Sequence, residues 1–356
     1  MNEINLSIDG RKVTAKAGMT VLEAALANDI YIPYLCYSPD LKPHGGCRLC
    51  IVEIEGVEGM PTSCTTPVAE GMVVRTSTPD VNEVRRNILE LILADHPLDC
   101  LTCVKNQRCE LQKVAAYLGI RERKLPHNDR KIPLDDSNPF FVIDRNYCIL
   151  CQKCTRTCEE ITGVNAIEII NRGYESHIGT FGDKAIMESI CRSCGECVVR
   201  CPTAALTIKG EAVPAYEVET TCPYCGVGCG MYLGVKNDKI VSVRGSDSKA
   251  NNGKLCVKGR FGIAGYVHSQ ERLRSPLIKK DGKFVEASWD EVLSLISEKF
   301  SSYPKEQVGI ISSSRCTNED NYVAQKFCRL VLGTNNIDHC ARLCHAPTVA
   351  GLAQTF

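Results

Sequence analysis

Cys148-Ile-Leu-Cys151-Gln-Lys-Cys154-Thr-Arg-Thr-Cys158 recurs further along the chain as Cys191-Arg-Ser-Cys194-Gly-Glu-Cys197-Val-Val-Arg-Cys201, followed by Pro202. Each run has C-x2-C-x2-C-x3-C spacing. Three thiolates on one tight loop can grip three corners of a 4Fe-4S cubane, while the fourth cysteine of each run ligates the other cluster. On that rule Cys148, Cys151 and Cys154 pair with Cys201, and Cys191, Cys194 and Cys197 pair with Cys158. Two zinc knuckles are the plainer alternative, but zinc sites rarely present four cysteines so tightly in duplicate. The repeat defines a domain over 140–210.

Upstream, Val81, Val84, Ile88, Leu91 and Ile92 recur at helical spacing between Asp80 and Leu93, which places His96 just past a helix end. His96, Cys100, Cys103 and Cys109 could hold a 4Fe-4S cluster with one imidazole ligand or, taken alone, a Cys3His zinc. Their place between two cluster motifs favours iron. Residues 79–139 form this segment, and the charged, proline-containing stretch 121–139 reads as a linker wrapping between domains. At the start, Ile4 to Ile8 and Lys12 to Ala15 alternate around Asp9-Gly10, a hairpin signal. Thr20 and Glu23 form a capping box for a short helix. With strands at Cys50 to Ile54 and Met72 to Thr76, residues 1–78 read as a compact α+β unit. Cys36, Cys47, Cys50 and Cys64 lie in it with C-x10-C-x2-C-x13-C spacing, and Gly45-Gly46 lets the backbone approach a 2Fe-2S cluster. This departs from the plant-type C-x4-C-x2-C spacing, and structural zinc is the alternative.

Downstream, Cys222, Cys225 and Cys229 (C-x2-C-x3-C) with distant Cys256 suggest another 4Fe-4S site or a zinc ribbon, among strands at Met231 to Val235 and Lys239 to Val243. This segment spans 217–272. From 273 to 356 the texture is that of an opening α/β domain: a helix at Glu291 to Phe300, a strand at Val308 to Ser312 and a helix at Asn318 to Leu332. Phe356 comes before such a domain could close, so the sequence reads as part of a longer protein. Cys316, Cys328 and Cys340 lack cluster spacing and are expected to be small buried hydrophobes, Cys328 on the apolar side of its helix. The fold class is α+β, multidomain.

The chain has 23 cysteines in 356 residues. A disulfide framework belongs to small secreted domains, and the first residues read as a hairpin, not a secretory leader. Arg85-Arg86 falls inside the predicted helix and is not read as a twin-arginine signal. A reducing, cytoplasmic setting is expected. Lys plus Arg equals Asp plus Glu at 42 each, so no basic field recruits nucleic acid. No apolar run approaches the roughly 20 residues of a membrane span, so membrane attachment is expected only through another subunit.

Residues 1 to about 210 resemble the cluster arrays of respiratory NADH dehydrogenase large subunits, iron-only hydrogenases and NAD-linked formate dehydrogenases. The run Cys222-Pro-Tyr-Cys225-Gly-Val-Gly-Cys229, with Asn252-Gly-Lys-Leu-Cys256-Val-Lys258-Gly-Arg, resembles the first domain of molybdenum and tungsten bis-pterin oxidoreductases. Iron-only hydrogenases would need their active-site cysteines directly after Leu206, where this fourth cluster motif stands instead. Ser312 to Tyr322 and Asn336-Ile-Asp-His-Cys340-Ala-Arg342-Leu-Cys344-His345-Ala-Pro-Thr-Val-Ala-Gly351 resemble the catalytic alpha subunits of formate dehydrogenases, NAD(P)-linked or electron-bifurcating.

That resemblance implies Mo or W with two pterin guanine dinucleotides, the metal bound by Cys344. It also implies a proton-handling His345 and a Lys258 that sits between cubane and pterin and helps electrons pass. The formate-holding arginine would lie beyond Phe356. The implied reaction is reversible oxidation of formate to CO2. Electrons would pass through one 2Fe-2S and four 4Fe-4S clusters to flavin- and iron-sulfur-containing NAD(P)-reducing subunits, a hydrogenase or a ferredoxin. The rival is a non-catalytic electron conduit of the NADH dehydrogenase type, against which Cys344, His345 and Lys258 argue.

Overall fold

The computed structural model describes residues 3–355, so Met1, Asn2 and Phe356, at the ends of the first and last predicted segments, lie outside the described residues. The chain divides into two compact units, Met1–Glu211 and Ala212–Phe356. Its architecture is α+β and multidomain, as the sequence predicts.

The first unit opens on the expected hairpin, Glu3–Ile8 paired antiparallel with Arg11–Lys16. Asp9 and Gly10 both take left-handed backbone, with φ of 49° and 78°, the turn geometry that matches strand twist. Glu3–Ile8 also runs parallel to Val73–Arg75, which pairs antiparallel with Glu53–Ile54. Leu6, Ile8, Val13 and Val74 on this four-stranded sheet bury against Val21, Leu22, Ala24 and Ala25 of the helix Val21–Ala27. The Thr20/Glu23 capping box starts that helix as predicted.

The helix Pro79–Ala94 begins at a Thr78 cap with proline in its first turn. Its buried face is rotated from the expected stripe: Val81, Arg85, Leu89 and Leu93 are buried, whereas Val84 and Leu91 are exposed. Arg85 explains the rotation, because its guanidinium satisfies three backbone carbonyls inside the unit. The helix Glu110–Tyr117 has no counterpart among the predicted elements. It joins Leu35, Leu49, Leu89, Leu93, Leu111 and Val114 in one apolar cluster.

The expected linker 121–139 does wrap, as a strap bonded along its length. Lys124 donates its amide to Glu90, and Asn128 donates its amide to the Ala94 carbonyl. Asp135 pairs with Ile143 and accepts from the Ile186 amide at 2.7 Å. The repeat domain is framed by Phe141–Ile143 against Leu206–Ile208 and by Glu168–Ile170 against His177–Gly179, both antiparallel.

In the second unit the two predicted strands are Gly230–Lys236 and Lys239–Gly245, and a third, Tyr216–Thr221, completes the antiparallel sheet. The third was missed although Tyr216-Glu-Val218-Glu alternates, because the run is short and its residues are exposed along their whole length. A hairpin, Leu277–Lys280 with Lys283–Glu286, precedes the helix Trp289–Ser302. The strand Ile310–Ser312, the helix Asn318–Leu330 and the strand Ile337–His339 follow, the two strands parallel. This is the expected α/β opening, and the helix Ala341–Thr355 follows it. Among the described residues no helix is long and apolar enough to cross a membrane.

Replacing Thr20 by Ala removes one half of the capping box. It is expected to lower stability by about 1 kcal/mol, seen as a lower midpoint in chemical unfolding.

Candidate cluster chain and metal site

Cys36, Cys50 and Cys64 are buried and Cys47 is nearly so. They meet in pairs, the thiol of Cys36 against Cys47 and that of Cys50 against Cys64. In the first pair the proton stays on Cys36, and Cys47 is drawn down to about 6 because it accepts from Cys36 and from neighbouring amides. Gly45, with φ of 67°, lets the loop turn where a Cβ would press on Thr62 and Thr65 at 3.3 Å. Two thiol pairs enclosed by loop amides suit two metal ions side by side.

His96 lies beyond the helix Pro79–Ala94, and with Cys100, Cys103 and Cys109 it lines a cavity of about 490 Å³. Burial holds its imidazole down to about 4, so the ring is neutral near pH 7. Its Nδ1 is buried with no hydrogen-bond partner. An orphaned nitrogen of this kind is costly unless something accepts its lone pair, and a cluster iron would do so. The ring packs edge-on against Tyr147, centroids 5.7 Å apart, and Tyr147 immediately precedes Cys148.

The repeat domain sorts its eight cysteines as the crossing rule predicts. Cys148, Cys151, Cys154 and Cys201 line one cavity, and Cys158, Cys191, Cys194 and Cys197 line another. Local backbone repeats too: Leu150 and Gln152 in the first run, and Ser193 and Gly195 in the second, all have positive φ between 51° and 76°. These turns aim amides at sulfur, Leu150 to Cys148 and Ser193 to Cys191, each at 3.4 Å. Burial pushes the Cys148 thiol up to about 12 and raises Cys151, Cys154 and Cys197 further, with neighbouring thiols adding to it. Thiolates here require cations, which iron would supply. No three His, Cys, Asp or Glu side chains among the described residues converge to hold a single metal ion; in the repeat domain and around His96 the ligands line cavities.

In the second unit Cys222 and Cys229 are raised by burial, and Cys225 and Cys256 are close enough to both to add to the effect. The Cys222 amide donates to the Cys229 carbonyl at 2.8 Å, closing the loop. Lys258 is exposed and opens the helical segment Lys258–Gly262 directly after Cys256. Cys344 and His345 are exposed in the first turns of the helix Ala341–Thr355, just past the carboxyl end of the parallel strand Ile337–His339. Open α/β sheets bind ligands at that end.

Of the three cysteines expected to be buried, only Cys328 is; Cys316 and Cys340 are exposed. Both sit at strand ends and not inside a helix face. The Cys340 sulfur faces the Ser314 hydroxyl at 3.2 Å and the Ser314 amide at 3.4 Å, which bring its thiol down to about 7. Sequence reasoning also passed over Gly226. A Cβ there would meet the Ser314 carbonyl oxygen at 2.8 Å and that of Cys316 at 3.0 Å. The Cys222–Cys229 loop thus packs against the loop that follows Ile310–Ser312.

Cysteine-lined cavities in one unit, and a further cysteine group near a loop that follows a strand in the other, have the donor chemistry of a modular iron-sulfur protein. Family models match in the same order. A 2Fe-2S iron-sulfur cluster binding domain covers residues 1–79, and an NADH-ubiquinone oxidoreductase-G iron-sulfur binding region covers 85–124. The ferredoxin-like domain of NADH-quinone oxidoreductase subunit 3 covers 138–207. A molybdopterin oxidoreductase Fe4S4 domain covers 215–268, and the molybdopterin oxidoreductase model covers 272–356. The chain thus carries iron-sulfur cluster modules followed by segments that match the molybdopterin oxidoreductase models.

Among its relatives, the NADPH-Fe(3+) oxidoreductase subunit alpha of Geobacter sulfurreducens is 37% identical over 97% of this chain and 41% of the relative. A G-type subunit of the NADH-quinone oxidoreductase of Rhizobium meliloti is 36% identical over 95% of this chain and 40% of the relative. A Staphylococcus aureus protein provisionally named a formate dehydrogenase is 32% identical over 98% and 40%. The chain therefore spans about two fifths of the length of these relatives. A chain of an NAD+-reducing [NiFe]-hydrogenase aligns with a TM-score of 0.51 and 32% identity, covering 58% of this chain and 87% of that one.

Gly226→Ala would force the cluster loop off Ser314 and Cys316, both backbone contacts that cannot yield by rotation. We expect a loss of about 1–3 kcal/mol, measured as a lower unfolding midpoint.

Proposed function

We propose that the chain is the cluster-bearing part of a formate dehydrogenase catalytic subunit. It would oxidise formate to CO2, a proton and two electrons, and pass the electrons singly to a partner subunit. The observation that supports this most is the placement of Cys344-His345 in the first turns of a helix beyond a parallel strand end, within the segment matching the molybdopterin oxidoreductase model. The provisionally named Staphylococcus aureus relative agrees with it.

In this reading Mo or W held by two pterin guanine dinucleotides supplies the two-electron chemistry when bound, with Cys344 as its protein ligand. A thiolate suits a soft metal, and coordination would itself remove the proton. The exposed His345 is free to accept or position the proton from formate. Lys258 would stand between the Cys222/Cys225/Cys229/Cys256 cubane and the pterin, carrying charge where electrons cross. From there electrons would run through cubanes on Cys191/Cys194/Cys197/Cys158 and Cys148/Cys151/Cys154/Cys201. The His96/Cys100/Cys103/Cys109 cluster and the Cys36/Cys47/Cys50/Cys64 2Fe-2S centre complete the set. The likeness to subunits of NADH-quinone oxidoreductase and NAD+-reducing hydrogenase supports a flavin-containing, NAD(P)-reducing partner, in the cytoplasm.

A second reading is favoured by the same likeness: an electron conduit without catalysis. Metal analysis of the full-length protein separates the two, since Mo or W with pterin is expected, and the absence of both would leave only the conduit. Cys344→Ser is expected to abolish formate oxidation while the spectra of the reduced clusters persist; activity above about one part in a hundred of the parent would remove Cys344 from the site. Cys201→Ser and Cys158→Ser are expected to erase different 4Fe-4S signals in electron paramagnetic resonance, because each cysteine lines the cavity of the other run.

A further inference from the structure

Two arginines beside the Cys36/Cys47/Cys50/Cys64 group are buried without a carboxylate in hydrogen-bond or ion-pair contact; Asp9, held by Thr76, acts on Arg85 only through its charge at a distance. Arg85, fully enclosed, donates to the carbonyls of Leu49 (2.9 Å), Ile51 (2.6 Å) and Thr76 (2.7 Å). Leu49 and Ile51 flank Cys50. Arg156, between Cys154 and Cys158, reaches across to the first domain. There it donates to the Lys42 carbonyl at 2.8 Å and to the carbonyl of Cys36 itself. Its Nε is buried with no partner. Among the described residues, every hydrogen-bond partner of these two guanidiniums is a backbone carbonyl.

Enclosing a cation costs several kcal/mol unless an anion compensates it, and carbonyl dipoles compensate only in part. We propose that the missing anion is the cluster: Arg85 and Arg156 are the buried countercharges of the 2Fe-2S centre, and they raise its reduction potential. The proposal rests on reading the four cysteines as ligands of that centre. Two irons, two sulfides and four thiolates carry net negative charge, and reduction of one ferric iron to ferrous adds one more. A fixed cation therefore stabilises the reduced state more than the oxidised one.

Arg156 has a further consequence, because it belongs to the repeat domain. The 36–42 loop is gripped there three times: by Arg156, by Glu160, which accepts from the Lys42 amide at 2.8 Å, and by Arg200 on Asp40 at 3.2 Å. All three lie within two residues of Cys158 or Cys201. The cation that tunes the 2Fe-2S centre is thereby carried on the same short segment as cubane ligands, so tuning and spacing are set together.

The test is a redox titration of the 2Fe-2S paramagnetic signal in the full-length protein. Arg156→Gln keeps a donor but loses the charge; at the parent midpoint its reduced-to-oxidised ratio is expected to fall about tenfold, or about 59 mV for one electron. Arg156→Lys is expected to recover most of the shift, and Arg85→Lys to stay within about threefold of the parent even if it unfolds more easily. Asp40→Asn loosens the grip at an exposed contact without removing either buried cation, and should leave the midpoint in place. An unmoved midpoint in Arg156→Gln, no recovery in Arg156→Lys, or an equal shift in Asp40→Asn overturns the countercharge. Should Arg156→Gln fail to assemble the centre, Arg85→Lys decides: a tenfold shift there overturns the proposal, and a retained midpoint upholds it. A parent protein with no 2Fe-2S signal, or with zinc in its place, overturns the ligand reading and the countercharge together.

Discussion

A thiolate enclosed by protein has lost its water and needs positive charge nearby, and in this chain that requirement arises again and again within a short span. The repeat domain raises five of its thiols by burial and mutual repulsion. Left protonated, these sulfurs would be poor packing groups facing cavities. Held by iron, they become the cross-links of loops that contain little regular structure of their own. The two helical segments of the repeat domain that follow left-handed residues, Lys153–Arg156 continuing into Thr157–Ile161, and Glu196–Val199, are short, too short to persist alone. The cluster is the core of such a domain.

The same economy binds neighbouring ligand loops into one body within the first unit. A single apolar cluster of Leu35, Leu49, Leu89, Leu93, Leu111 and Val114 has Cys47, Cys109 and Ile149 packed against its edge. Those three residues belong to three different ligand loops. Lys153 adds an ion pair to Glu110 at 2.8 Å, and the Glu110 amide donates to the Pro202 carbonyl. Spacing between the ligand loops is thus set by ordinary side-chain packing.

Much of this was legible because cluster ligation is local. Three cysteines of each repeat-domain run lie within seven residues, so spacing and count suffice to group them, and capping boxes at Thr20 and Ser288 are equally local. What escaped notice was of another kind. The helix Pro79–Ala94 turned a different face inward because Arg85 found carbonyls far away in sequence. The strand Tyr216–Thr221 alternates over only four residues and buries no face, so its pairing with Gly230–Lys236 is what makes it a strand. Composition makes buried hydrophobes of Cys316 and Cys340, yet their places at strand ends expose them.

Sequence alone determined the number, order and grouping of the cysteines, the hairpin, the caps and the α/β opening, since each depends on residues a few positions apart. Tertiary structure decided that the His96 Nδ1 is left without a partner. It also decided that Gly226 must lack a side chain and that Arg85 and Arg156 are enclosed by carbonyls. Each of those follows from contacts between residues separated by tens of positions. Burial and orientation at such separations arise from the packed whole, and no local pattern of residue types carries them.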